Sequence, residues 1–151
     1  MLSLAMKRNE FISSSKEETS KIATLFSKSL KGGELIFAHG KLGAGKTTFF
    51  QSVAKSLGVD EIVNSPSFNL LKIYETDYTF LHADYYRLEG IDDSLKDIGL
   101  EDYLGDEKAI IYVEWPEFAT SSLKSYHPRI DIYFEYLEDD KRRIIIEDER
   151  S

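Results

Sequence analysis

Residues 35–47 read Leu35-Ile36-Phe37-Ala38-His39-Gly40-Lys41-Leu42-Gly43-Ala44-Gly45-Lys46-Thr47. The first four are apolar without polar alternation, as in a parallel strand covered on both faces. From Gly40 onward the segment matches the spacing G-x-x-x-x-G-K-[ST] at every fixed position. A helical pattern over residues 46–57 follows, and Gly58 ends it. A strand, a glycine-rich turn and a helix in this order are typical of a phosphate-binding loop.

The glycine-rich loop (Gly40–Thr47) carries the groups that phosphate binding needs. Its glycines allow backbone conformations that side chains would block, so that backbone N–H groups and the helix N-terminus converge on a phosphate. Lys46 is expected to reach the β and γ phosphates, and the Thr47 hydroxyl to bind Mg²⁺. The expected ligands are therefore ATP and Mg²⁺. The predicted nucleotide contacts in this loop and directly after it are Gly40, Lys41, Leu42, Gly43, Ala44, Gly45, Lys46, Thr47 and Thr48.

Two acidic residues end apolar segments that read as strands. Asp84 follows residues 80–83, and Glu114 follows residues 110–113. Ligands of open α/β sheets bind outside the carboxyl ends of the strands, where phosphoryl transfer needs an acid for the metal and a group that orients water. We predict Asp84 as the acid on the Mg²⁺ side and Glu114 as the residue that orients or activates the attacking water, with the two roles open to exchange. Each carboxylate also has an alternative interpretation as a solvated turn residue.

The predicted site therefore has two overlapping sets of residues. Lys46, Asp84 and Glu114 are the predicted catalytic residues, and Thr47, Asp84 and Glu114 are the predicted metal-binding residues.

The remaining patterns predict one α/β domain over residues 1–151. Residues 6–12 fit an edge strand, and a capping box at Ser14 and Glu17 precedes a helix that the pair Gly32-Gly33 would end. The apolar stripe of that helix is predicted as Ile22, Leu25, Phe26 and Leu30. Further predicted segments are strands at 68–75, 78–83 and 109–113, a mostly helical region at 92–104 that breaks near Gly99, and an antiparallel hairpin at 130–146. The predicted architecture is a three-layer P-loop fold whose mostly parallel sheet is extended by antiparallel C-terminal strands.

Composition narrows the classes of function. The chain has no cysteine, which removes disulfides, thiolate metal ligands and thiol nucleophiles. No apolar run is long enough to span a bilayer and the N-terminus lacks a signal-peptide pattern, so a cytoplasmic protein without membrane contact is expected. The net charge of −8 predicts weak direct binding to nucleic acids, because such binding depends on a basic surface.

Several residues near the motifs have more than one interpretation. Ser65 and Ser67 fit either a hydroxyl that senses a γ-phosphate or an ordinary turn built on Pro66. Trp115 belongs either to the site or to the core, and His82 is favoured as a buried structural histidine.

Arginines are the expected source of additional positive charge. Arg87 is the arginine that the sequence places close to the motifs, as a charge stabiliser, an interface residue or a surface ion-pair partner. Arg142 and Arg143 fall on the predicted hairpin strand.

Four segments, in this order and at these separations, resemble the TsaE (formerly YjeE) family: Gly40 to Thr48, Ser65-Pro66-Ser67-Phe68, His82-Ala83-Asp84-Tyr85-Tyr86-Arg87-Leu88, and Val113-Glu114-Trp115-Pro116. The last two make the match specific, and the resemblance runs from about Ser14 to the final hairpin. It implies a bacterial ATPase needed to make threonylcarbamoyladenosine, the modified base next to the anticodon of tRNAs that read codons starting with A. It also implies two partners, TsaD, which transfers the threonylcarbamoyl group, and its companion TsaB, so that tRNA is reached indirectly through the complex.

The resemblance also assigns roles by motif. Lys46 and Thr47 would bind phosphate and Mg²⁺, Asp84 would be the Mg²⁺-linked acid, Glu114 the Walker B-like catalytic acid, and Trp115 a neighbour of the nucleotide. Two positions depart from the family pattern. Ser67 stands where the family usually has threonine, and Lys41 stands where it usually has an acid, which adds positive charge at the mouth of the loop.

A small-molecule or nucleoside kinase is the main alternative, because it shares the loop and the Mg²⁺ acid. Such enzymes usually add an arginine-bearing lid and an acceptor pocket, and the sequence predicts neither. A GTPase switch is disfavoured by the absence of an N-K-x-D segment. A non-enzymatic nucleotide-binding regulatory module is the remaining alternative.

Overall fold

The computed structural model describes residues 7–66 and 70–150. Its strands are Lys7–Ser13 (β1), Leu35–His39 (β2), Leu71–Glu75 (β3), Thr79–Asp84 (β4), Ala109–Glu114 (β5), Ile130–Tyr136 (β6) and Arg142–Asp148 (β7). The α-helices of the described residues are Lys16–Ser27 (α1), Lys46–Ser56 (α2) and the single turn Ser121–Lys124 (α3).

The strands form one mixed sheet in the order β1-β7-β6-β2-β5-β4-β3. The four central strands β6, β2, β5 and β4 run parallel, whereas β3 at one edge and β7 and β1 at the other are antiparallel to their neighbours. The predicted α/β fold with a mostly parallel sheet is confirmed. The predicted antiparallel C-terminal hairpin is β6 and β7, and it joins the parallel strands because β6 pairs parallel with β2.

The two faces of the sheet are covered differently. On one face α1 and α2 bury an apolar cluster against the strands, with Phe26 and Phe49 packed at a centroid distance of 5.6 Å. On the other face short helices and turns supply the cover, including Leu100 and Leu123. The α2 face is the one that the glycine-rich loop adjoins, because the loop leads directly into α2.

Phe50 is expected to be a major contributor to stability. Its ring is fully buried, and it lies 4.4 Å from the His82 ring and 4.9 Å from the Tyr112 ring between centroids. Phe50→Ala would leave a cavity between α2 and the sheet, and we expect it to lower the free energy of unfolding by about 3–5 kcal/mol. Urea unfolding followed by circular dichroism measures this. Leu25→Ala is the control, because Leu25 is 58% exposed and its loss is expected to cost far less. Equal effects of the two substitutions would contradict this packing.

Several predicted boundaries of α1 need correction. The capping pair is Ser15 and Glu18 in place of Ser14 and Glu17: the Glu18 backbone N–H donates to Ser15 Oγ at 3.1 Å, and Glu18 Oε1 accepts from the N–H of Ser14, one residue before the cap, at 2.6 Å. Both pairs have the same spacing, so the sequence could not separate them. The helix ends at Ser27, before the Gly32-Gly33 pair, and Leu25 is exposed where the predicted stripe placed it inside.

The region 92–104 was wrongly predicted as mostly helical. It contains two short 3-10 helices, Asp93–Leu95 and Leu100–Tyr103. Local side-chain bonds compete with a longer helix here, since Asp92 accepts from the Ser94 N–H and Asp97 accepts from the Gly99 N–H. The strand predicted at 68–75 begins at Leu71, and residues 68 and 69 lie outside the described residues.

Candidate functional site

The glycine-rich loop lies at the carboxyl end of β2, beside the carboxyl ends of β4 and β5. In the parallel register Ala38 pairs with Glu114, and Asp84 pairs with Glu114 from the other side. A cavity of about 510 Å³ opens at this edge, within the size range of small-molecule sites. The predicted site residues that line it are Leu42, Gly43, Ala44, Gly45, Lys46, Thr47, Thr48, Asp84, Glu114 and Trp115.

The remaining predicted residues of the loop lie close to the cavity without lining it. Gly40 contributes its carbonyl to a hydrogen bond with Lys46, and Lys41 is exposed. Ser65 lines the cavity, whereas Ser67 lies outside the described residues.

Gly40 has a packing reason to lack a side chain. Its φ is 153°, and a Cβ at this position would lie 2.7 Å from the Phe134 carbonyl oxygen on β6. Any larger residue would push the loop away from β6. The close approach fixes where the loop begins relative to the sheet.

Lys46 is nearly enclosed at the first turn of α2. Its residue exposure is 4%, its Nζ donates to the Gly40 carbonyl at 2.6 Å, and the same Nζ lies 3.9 Å from the centre of the Trp115 ring. Burial lowers the pKa of Lys46, and the negative charges of Glu114 and Asp84 oppose that shift. The ammonium group thus has an aromatic face and a carbonyl as its neighbours, and two carboxylates are close enough to affect its pKa.

Trp115 has an unusual backbone conformation at the edge of the cavity. At the end of β5 its φ is 56°, in the left-handed region that a tryptophan seldom adopts, and the chain then enters a 3-10 helix at Pro116–Phe118. The indole packs on Phe118 and on Tyr86, at centroid distances of 5.8 Å and 4.8 Å. Trp115 is therefore both a wall of the cavity and a partner of the second apolar cluster.

Glu114 is the centre of a buried hydrogen-bond cluster. Its Oε2 accepts from the Thr47 hydroxyl at 2.9 Å and lies 2.7 Å from Nε2 of His82. The side chains of His82 and Glu114 are 0% and 5% exposed. The sequence predicted that Thr47 and Glu114 belong to one site. It favoured a structural role for His82, so it did not predict the contact between His82 and Glu114.

Asp84 occupies a different wall of the cavity. Its Oδ2 accepts from the Ser65 hydroxyl at 3.3 Å, and its Oδ1 accepts from the Tyr86 backbone N–H at 2.9 Å. Burial raises the pKa of Asp84, the bond from Tyr86 opposes that rise, and the charge of Glu114 adds to it. Asp84 therefore does not share the Thr47 hydroxyl, which belongs to Glu114.

Two tyrosines that the sequence analysis missed hold the loop and its helix. The Tyr136 hydroxyl of β6 donates to the Leu42 carbonyl at 2.9 Å, and the buried Tyr112 hydroxyl of β5 donates to the Lys46 carbonyl at 2.6 Å. A Cβ on Gly43 would lie 2.7 Å from the Tyr136 oxygen, so this glycine permits the first bond. These contacts join residues that are far apart in the chain, so no local sequence pattern predicts them.

The cavity extends beyond the predicted residues to α1 and to the β6–β7 hairpin. Ser15, Lys16 and Thr19 line it from the start of α1, and Asp140 and Arg142 line it from the hairpin. The expectation that only Arg87 lies close to the motifs was therefore wrong.

The two arginines occupy different places. The Arg142 guanidinium lies 4.2 Å from the centre of the Tyr136 ring at the main cavity. Arg87 lines a small cleft with Ser65, Asp84 and Tyr86.

The described residues include no group of three or more His, Cys, Asp or Glu side chains arranged to hold a metal ion. Mg²⁺ is commonly bound by one or two protein oxygens together with phosphates and water, so Thr47 and Glu114 are of the right chemical type. Among the described helices, none combines the length and the apolar character that crossing a bilayer requires.

The parallel strand, glycine-rich loop and helix, with a cavity at the carboxyl edge of the sheet, define an α/β protein of the P-loop architecture. A family model described as threonylcarbamoyl adenosine biosynthesis protein TsaE matches residues 13–144. The chain belongs to the TsaE family, which takes part in tRNA threonylcarbamoyladenosine biosynthesis.

Individual relatives agree with the family match. TsaE of Bacillus subtilis is 36% identical over 140 residues, which cover 92% of this chain and 85% of the relative. TsaE of Aquifex aeolicus is 37% identical over 140 residues, covering 91% and 94%. The crystal structure of Bacillus subtilis YdiB superposes with a TM-score of 0.75 at 29% identity, covering 95% of this chain and 86% of that one. The predicted fold and family resemblance are confirmed.

Proposed function

We propose that this chain binds ATP with Mg²⁺ at the glycine-rich loop and hydrolyses the γ-phosphate bond, in support of tRNA threonylcarbamoylation by TsaD and TsaB. The observation that carries the proposal is the 2.9 Å bond from the Thr47 hydroxyl to Glu114, in a cavity that Lys46 also lines. A hydroxyl and a lysine at a helix N-terminus, with a carboxylate at the end of a nearby strand, are the set that Mg²⁺-dependent phosphoryl transfer requires.

The residues present fit the proposed ligands. The loop supplies backbone N–H groups at the start of α2, and Lys46 supplies a positive charge for the β and γ phosphates. Thr47 and Glu114 supply oxygens on the metal side. Bound Mg²⁺ would neutralise charge on the phosphates, while the chain's own part is to orient them and to exclude water from Lys46.

The hydrogen bonds support an exchange of the two acidic roles predicted from the sequence. Glu114 shares the Thr47 hydroxyl and so lies on the proposed metal side. Asp84 bonds to Ser65 in the loop before β3, and it is better placed to act on water or to report the state of that loop. The pKa of Asp84 is raised by burial, which suits a group that accepts a proton more readily than an exposed aspartate.

The partners follow from the family and from charge. A chain with a net charge of −8 has little electrostatic attraction for tRNA, so TsaD and TsaB would supply the contact with tRNA. ATP hydrolysis would then act on the complex through a conformational difference between nucleotide states, for which the loop around Ser65 is a candidate.

Trp115 provides a direct test of the nucleotide site. It is the single tryptophan of the chain, and the Lys46 ammonium lies 3.9 Å from its ring centre. Phosphates that attract Lys46 would alter this contact, so we expect a saturable change in tryptophan fluorescence on titration with ATP and Mg²⁺. AMP is the control, because it lacks the β and γ phosphates and is expected to produce a much smaller change. Identical titrations with AMP and ATP would contradict the assignment of Lys46.

A kinase is the competing function, and the observation in its favour is the position of Arg142 at the cavity. The sequence predicted no arginine-bearing lid, which was an argument against a kinase, and an arginine that lines the cavity weakens that argument. The two functions differ in what accepts the phosphoryl group. An ATPase releases phosphate to water, whereas a kinase requires an added acceptor.

A further inference from the structure

His82 lies on β4, next to the edge strand β3, and it does not line the cavity. It is 0% exposed, and its ring packs on Phe50 and Tyr112 at centroid distances of 4.4 Å and 5.7 Å. Its Nε2 nevertheless lies 2.7 Å from Oε2 of Glu114, the oxygen that also accepts from Thr47. The imidazole is thus linked to the cavity through one carboxylate.

The hydrogen-bond pattern defines the tautomer of His82. Its Nδ1 is buried and has no hydrogen-bond partner among the described residues. A carboxylate oxygen can only accept, so the ring hydrogen is assigned to Nε2, and Nδ1 keeps an unshared electron pair. In this state His82 donates one hydrogen bond, and Glu114 receives it.

Packing alone does not account for an imidazole at this position. A phenylalanine would fill the same aromatic surroundings and would bury no unpaired nitrogen, which carries a desolvation cost. The bond to Glu114 offsets that cost. Both described bonds to the carboxylate fall on Oε2, so Oε1 is the oxygen left for the cavity.

We propose that His82 is a positioning residue that fixes the orientation of Glu114 at the site of Mg²⁺-dependent chemistry. This inference rests on the proposed function. The donor at Nε2 and the Thr47 hydroxyl hold Oε2 from two directions, so the carboxylate is not free to rotate. Without His82, Glu114 would keep its charge near the loop, but its carboxylate would no longer be held with Oε1 directed toward the cavity.

The test compares variants that differ in the donor. His82→Phe keeps a ring of similar shape and removes the donor, whereas His82→Gln places an amide nitrogen the same number of bonds from Cα and retains it. His127→Phe is the matched control, since it removes an exposed histidine–carboxylate contact of 2.8 Å with Glu149, and neither of these residues lines the cavity. Each variant is checked by thermal unfolding, and His82→Leu is a second donorless variant if His82→Phe does not fold.

Two readouts are measured on the whole chain. The first is kcat and KM for ATP, and the second is the gain in ADP affinity that Mg²⁺ produces, from titrations with Mg²⁺ and with EDTA. We expect His82→Phe to lower kcat about 10- to 100-fold, the usual effect of losing such a supporting bond, with KM changed less than about threefold. The Mg²⁺-induced gain in ADP affinity is expected to shrink, while ADP affinity in EDTA stays unchanged. His82→Gln is expected to recover most of both losses.

The outcomes separate this inference from the proposed function. A parent chain that binds no nucleotide overturns both. A parent chain with Mg²⁺-dependent nucleotide binding, together with a folded His82→Phe or His82→Leu that retains it and keeps normal kcat, overturns the role of His82 alone. A folded His82→Gln that loses as much as the donorless variants also overturns it. In a double-mutant cycle with Glu114→Gln, we expect little further loss from His82→Phe, because His82 acts through Glu114.

Discussion

Lys46→Ala is expected to weaken ATP binding by up to about 100-fold, while the chain remains folded. Lys46 is the side-chain cation that sits at the base of the glycine-rich loop, with Nζ held by the Gly40 carbonyl and the Trp115 ring. Hydrogen bonds to charged groups contribute up to about 3 kcal/mol, which corresponds to a factor of about 100 in Kd. Isothermal titration calorimetry with ATP and Mg²⁺ measures the change.

Folding should tolerate this substitution, because it removes a buried charge. Burial already lowers the pKa of Lys46, which reflects the cost of keeping the ammonium out of water. Lys55→Ala is the matched control: Lys55 lies in the last turn of α2 and is exposed. A folded Lys46→Ala protein with the ATP affinity of Lys55→Ala would remove the basis for placing phosphates at this loop.

Glu114→Gln is expected to lower kcat about 10²- to 10³-fold, with ATP affinity changed only a few-fold. Its carboxylate lies where charge and water must be organised in the transition state, and the loss of one such electrostatic contact has this size of effect. Glutamine keeps the volume and still offers an oxygen to Thr47 and His82, so the variant removes the charge with little loss of packing. Steady-state kinetics beside a nucleotide titration distinguishes turnover from binding.

Glu117→Gln is the control for Glu114, because Glu117 is exposed and lies three residues further along the chain. Asp84→Asn gives the comparison that bears on the exchange of roles. If Glu114 is on the metal side, Glu114→Gln should raise the Mg²⁺ concentration needed for half-maximal turnover more than Asp84→Asn does. The opposite order would restore the assignment of Mg²⁺ to Asp84.

The sequence was most informative where neighbouring residues determine the structure. The strand at 35–39, the loop and α2 follow each other without interruption, so one motif in the expected context predicted all three. The ends of β4 and β5 were predicted for the same reason, since an apolar run followed by an acid marks a strand terminus. The helical prediction for residues 92–104 was wrong because hydrogen bonds to the side chains of Asp92 and Asp97 compete with the helix that the apolar spacing indicates.

The sequence was least informative about contacts between distant segments. Tyr136 bonds to Leu42 across 94 positions, and Arg142 reaches the cavity only because β7 returns beside β6. The apolar neighbours of His82 in the sequence predicted a buried core histidine, and the prediction of burial was correct. The bond of His82 to Glu114 depends on the parallel pairing of β4 with β5, and the local pattern around His82 does not reveal which strand lies beside β4.

Release of phosphate from ATP with no added acceptor is the measurement that tests the central claim most directly. The isolated chain, the chain with TsaB and TsaD, and the chain with each partner singly are compared at matched Mg²⁺ and salt, with Glu114→Gln as the inactive reference. We expect slow, Mg²⁺-dependent release by the chain alone and a clear increase with both partners, because charge stabilisation supplied by a partner raises P-loop turnover by up to about 10³- to 10⁵-fold. Phosphate release that requires a small-molecule acceptor, or that is unchanged in Glu114→Gln, would contradict the account.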